Sequence, residues 1–134
     1  MSTDNTGQIW WVCAQGVRTT SDIELANSST ATIDDLCRLA RSQDPGVRGS
    51  VAINHRTPVW LLGSLVRDED RDVRLVLSMN INASAEILTY LANDANKTVR
   101  ESVAKHPNTP PLVKVWLQGG YGEMSLKEFL EAAQ

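Results

Sequence analysis

Four stretches of this chain set apolar residues along one side of a helix. Val59, Leu62, Leu65 and Val66 fall at i, i+3, i+6 and i+7, a spacing that lines up on a single helical face. Ile33, Leu36, Leu39 and Ala40 repeat it, as do Ala85, Leu88, Leu91 and Ala92, and Val113 and Leu117 begin it again. Start signals precede each stretch. Thr57-Pro58 and Thr109-Pro110 predict a threonine N-cap followed by proline at the first helical position, where a missing N–H costs nothing. Asp34 and Asp35 place acid in a first turn, where the helix dipole favours it, and Ser84 or Asn82 starts the third helix. Between these helices run VRGSVAIN, VRLVLSMN and VRESVAKH. Pairs such as Val47 and Val51 suit one or two turns, and eight residues is short for an independent helix. A short α or 3₁₀ segment is therefore predicted there. The polar stretches SQDPG, RDEDRD and NDANK read as the joining turns.

The pattern has a period of 26 residues. Val47-Arg48, Val73-Arg74 and Val99-Arg100 step by 26, as do Asn54, Asn80 and His106, and Leu39, Leu65, Leu91 and Leu117. A period of this size marks stacked supersecondary units, each too small to bury its own core. The reading is an all-α solenoid of alternating α and short α/3₁₀ helices, about 3.5 units long. One domain is expected over 1–134, with an N-terminal cap at 1–24, repeats at 25–118 and a C-terminal capping helix at 119–134. QIWWVCAQGV is apolar enough to cover the first unit. SLKEFLEAA opens on Ser125 and Glu128, a capping box.

The signature made of Leu-Ala or Val-Ala, Asn or His, Thr-Pro, a Leu-x-x-Leu-Ala core, Asp and then Val-Arg resembles the leucine-rich repeat variant family. VAKHPNTPPLVKVWL is its clearest copy, and the resemblance covers roughly residues 25–118. It implies alternating α and 3₁₀ helices wound into a right-handed superhelix without strands. Some members carry an upstream cysteine cluster that holds an iron–sulfur centre. Cys13 is the only cysteine upstream here and Cys37 lies inside a repeat. Four thiolates are needed, so no cofactor is expected.

Charge and composition narrow the chemistry. The net charge of −3 provides no global cationic field for nucleic acid. Residues 36–116 nevertheless carry 11 Lys or Arg against 8 Asp or Glu. Two cysteines without a secretory signal read as reduced thiols in a cytoplasmic protein, and no apolar run approaches the ~20 residues that span a bilayer. His55 and His106 lack partners at metal spacing. No Ser-His-Asp set, phosphate loop or HExxH motif occurs, so neither a metal site nor an enzyme active site is expected.

Three residue sets remain. Arg48, Arg74 and Arg100 either form a guanidinium ladder facing a groove or staple neighbouring turns through Asp44, Asp68 or Asp94, and recurrence at every unit favours the staple. Asn54, Asn80 and His106 recur at a helix corner, where an amide satisfies unpaired backbone groups. Trp60 shares its register with Asp34, Glu86 and Leu112, and Trp116 shares its own with Ser64 and Tyr90. These are non-core positions. Trp60, Tyr90 and Trp116, with Arg56 and Arg67, are the expected anchors for a protein or peptide partner, the competing reading being that the terminal cap or the chain end covers the tryptophans, Trp116 before Trp60. The alternative is a helical repeat that binds nucleic acid through Arg38, Arg41, Arg48, Arg56, Arg67, Arg71 and Arg74. An imperfectly capped end also leaves self-association open.

Overall fold

A computed structural model describes residues 19–119 and 123–134. Every regular element among them is an α-helix. In chain order these are α1 Thr19–Ala26, α2 Ile33–Leu39, α3 Pro45–Ile53, α4 Val59–Gly63, α5 Arg71–Met79, α6 Ala85–Leu91, α7 Lys97–Lys105, α8 Pro111–Gln118 and α9 Leu126–Ala132. The Gln8–Val17 stretch and Cys13 lie outside the described residues.

Helix starts follow side-chain chemistry. Asp44 accepts from the Gly46 N–H, Asp70 from those of Asp72 and Val73, and Asn96 from those of Thr98 and Val99. Each bond satisfies a donor that the helix itself leaves unpaired. Thr32 with Asp35, and Ser125 with Glu128, close capping boxes on α2 and α9. The expected threonine caps at Thr57 and Thr109 are not formed. Pro58 and Pro110 are the N-caps. The two hydroxyls turn back instead and donate to the Val51 and Val103 carbonyls, at 2.7 and 2.6 Å. Those carbonyls sit in the last turns of α3 and α7, where they also accept from the C-cap N–H groups of Asn54 and His106.

The predicted helix lengths are inverted. The segments expected to be short α or 3₁₀ pieces are α3, α5 and α7, each nine residues long. The stretches expected to be longer form helices of seven, five and seven residues in α2, α4 and α6. The polar turns cause the difference. Asp44, Asp70 and Asn96 cap α3, α5 and α7 and extend each helix backwards beyond its Val-Arg pair.

Helices α1, α3, α5 and α7 pack in chain order, each against the next. Helix α1 stands 26 residues before α3, so the boundary expected between residues 24 and 25 cuts through it. The core follows the same step: Val47, Val73 and Val99; Val51, Leu77 and Val103; Leu36, Leu62 and Leu88; Leu39, Leu65 and Leu91 are all buried. Each such Val or Leu contributes about 1.5–3 kcal/mol through burial. Ile33 and Val59, expected in the core, are 55% and 47% exposed. They occupy the first turn of very short helices, and the register of Leu61, Ile87 and Val113 faces inward instead.

Candidate interaction surface

The arginine series is tied into the fold by two forks. Arg48 donates from Nε to Asp68 Oδ2 at 2.8 Å and from Nη2 to Asp68 Oδ1 at 3.1 Å. Arg74 grips Asp94 in the same way, at 2.7 and 3.2 Å. Bidentate geometry of this kind is the strong form of the charged hydrogen bond. Both pairs are largely hidden from solvent. The remaining Nη1 reaches a carbonyl six residues back: Ser42 for Arg48, Asp68 for Arg74 and Asp94 for Arg100, at 2.7, 2.6 and 2.6 Å. The bonds to Asp68 and Asp94 hold the guanidinium pKa values of Arg48 and Arg74 above their ordinary value. Burial pushes the Asp68 carboxyl up. Hydrogen bonds from Arg48 and the Asp70 N–H, with the nearby charges of Arg48 and Arg74, outweigh burial and hold it below the usual carboxylate range.

A second series runs through buried amides. Asn54 Nδ2 donates to the Ala26 carbonyl at 2.7 Å, and Asn80 Nδ2 to that of Ala52 at 2.8 Å. Each Oδ1 accepts an N–H two residues on, from Arg56 and Asn82. His106 substitutes for the amide. Its Nδ1 accepts from the Asn108 N–H and its Nε2 lies 2.7 Å from the Asn80 carbonyl, so the network assigns the proton to Nε2. A parallel series escaped the sequence reading. Asn82 Nδ2 donates to the His55 carbonyl, and Asn108 Nδ2, 26 residues later, to those of Ile81 and Ala83. The shared step of 26 was the available signal.

The five expected anchors divide. Trp60 on α4 is 64% exposed, and Arg56, in the turn before α4, is exposed as well. Arg67 lies over the Tyr90 ring, 5.5 Å from its centroid, a cation–π contact that holds both at the surface. Trp116 departs from the expected role. It is partly buried against the core, and its indole N–H donates to the Met124 carbonyl at 2.9 Å. The segment before α9 thus occupies that indole N–H. Sequence reasoning missed several exposed apolar residues: Ile33, Val59 and Val115 on the even-numbered helices, and Ile53, Met79 and Ile81 elsewhere; Leu112, in the register of Trp60, is exposed as well.

Among the described residues no group of three or more His, Cys, Asp or Glu could hold a metal ion. Cys37 is a free thiol. None of the described helices is long and apolar enough to cross a membrane. Compared with protein-family models, curated proteins and solved structures, the chain matches none.

Proposed function

We propose that this chain is a non-enzymatic protein-interaction module: a right-handed helical solenoid of the variant leucine-rich repeat type, about 3.5 units of 26 residues, offering a curved surface to a protein or peptide. The supporting observation is the exposed apolar and aromatic row on α2, α4, α6 and α8. Ile33, Val59, Trp60, Tyr90 and Leu112 stand in recurring registers with their side chains out. Large aromatic groups held on helices are the usual energetic anchors of interfaces, and stacked units make extended surfaces without a catalytic pocket.

The arginines bear on the alternative of nucleic acid. Arg48 and Arg74 are committed to internal carboxylates, and Arg38 lies near Asp22 and Asp35. That leaves fewer free cations for phosphate than the sequence offers. The test is affinity capture at low and high salt with the wild type and a folded Trp60→Ala, Arg56→Glu variant. The expected result is a protein partner held at both salts, and held at least about tenfold less tightly by the variant. Equal retention by the variant overturns this surface. Capture of nucleic acid only at low salt supports the alternative instead.

A further inference from the structure

Arg100 repeats the posture of its two predecessors with one difference. Its Nη1 is anchored on the Asp94 carbonyl at 2.6 Å, as Arg74 is on Asp68 and Arg48 on Ser42. In Arg48 and Arg74 the opposite edge, Nε and Nη2, grips an aspartate 20 residues further on. Twenty residues beyond Arg100 stands Gly120, which has no carboxylate to give. Among the described residues no acid pairs with Arg100.

Among the described residues, the helix that carries Arg100 is also left uncovered on that side. Helix α9 packs against α8. Ala52 on α3 and Ser78 on α5 are fully buried, whereas Ala104, in the same register on α7, is partly exposed. The open side forms a groove of about 510 Å³ lined by Lys97, Arg100, Glu101, Ala104, Lys105 and Leu117. Lys105 replaces the exposed apolar residues Ile53 and Met79 of the preceding units. A further apolar unit, or a second copy docking by the same packing, would set its contacts against that cation. An acidic partner is attracted by it. Among the described residues Glu101 is the one acid lining the groove, and it lies 3.9 Å from Lys97.

We propose that this groove binds the carboxylate of an acidic turn on a partner protein, gripped bidentately by Nε and Nη2 of Arg100, with Lys97 and Lys105 supplying the surrounding positive charge. The chain shows the matching element twice. Asp68-Glu69-Asp70 and Asp94-Ala95-Asn96 each offer a first aspartate whose carboxylate takes both the arginine fork and the N–H two residues on. Aspartate in an Asp-x-Asp or Asp-x-Asn turn that opens a helix is thus the ligand class. The site shares no residue with the aromatic surface proposed above, so either reading can fail without the other.

The probe is a fluorescently labelled peptide of residues 66–80, which contains the turn that Arg48 already binds. Anisotropy titrations with the full chain at low salt read its affinity. Saturable binding is expected, at least tenfold weaker for a peptide carrying Asp68→Asn, for Arg100→Gln protein and for Arg100→Lys protein. The lysine variant matters because it keeps the charge and loses the fork. The peptide variant requires no altered protein to fold, and melting curves verify the protein variants. No saturable binding, unchanged affinity in Arg100→Gln, or full retention in Arg100→Lys each overturns the proposal. Displacement by inorganic phosphate as readily as by acetate overturns its selectivity for carboxylate.

Discussion

Asp68 receives bonds from three directions. Its carboxylate accepts the Arg48 fork and the Asp70 N–H, while its backbone carbonyl accepts from Arg74. Removing the negative charge strands the Arg48 guanidinium in a largely buried place, and breaking such a pair costs about 3–5 kcal/mol. Asp68→Asn is therefore expected to lower stability by about 3 kcal/mol at pH 7, measured by urea unfolding. The pH dependence has a definite sign. The folded carboxyl sits below its ordinary value of 3.8, so its contribution is full above that value and fades as pH falls through the depressed folded pKa. The gap between wild type and Asp68→Asn should accordingly close below pH 3.8. A gap constant down to the acid transition contradicts this account of the pair.

At the scale of elements, α3 carries an internal weakness. Gly49 lies inside the helix, where glycine costs about 1 kcal/mol relative to alanine, and an added Cβ there meets nothing within 4 Å. Gly49→Ala is expected to stabilise by about 0.5–1 kcal/mol, and a drop in the urea midpoint contradicts the open space beside that helix. The same helix shows what could be read from sequence. Its Val47 and Val51 identify a buried face, and the 26-residue step links that face to α5 and α7. Its length was hidden, because Asp44 looks like any turn residue until its carboxylate is seen to accept from Gly46. Val59 misled for a related reason: α4 spans only five residues, too few to have a complete face, so periodicity could not tell its first turn from its core. Trp60 was legible as a surface residue because Asp34 and Glu86 share its register. Covering of Trp116 was an open alternative in the sequence, but its partner, the Met124 carbonyl, was not legible, since no periodic signal reaches into that segment. The partners of Arg48 and Arg74 were nameable as aspartates, but the choice of Asp68 and Asp94 required the stacking itself.

Across the whole molecule the units are joined by bonds of constant reach. The Asn54 amide spans 28 residues to Ala26, and that of Asn80 spans 28 to Ala52. One unit should therefore be removable if the cut respects the step. Excising residues 45–70 joins Asp44 to Arg71, leaves an aspartate cap on α5, brings the Ser42 carbonyl to Arg74 and lets Asn80 reach Ala26. This shortened chain is expected to keep a helical circular dichroism spectrum and a cooperative melt, with a smaller urea m-value because less surface is buried. Excising one residue more or fewer is expected to abolish the cooperative melt, and survival of both off-step deletions contradicts the packing described. The arginine series also has a direction. It runs from the Ser42 carbonyl through Arg48, Asp68, Arg74 and Asp94 to Arg100. It ends on a donor, while the aspartate register towards the chain start holds Ser42 and Gly16. Among the described residues the series therefore has unlike ends, an acceptor carbonyl at Ser42 and an open donor edge at Arg100, so its polarity is as fixed as that of a single strand of chain.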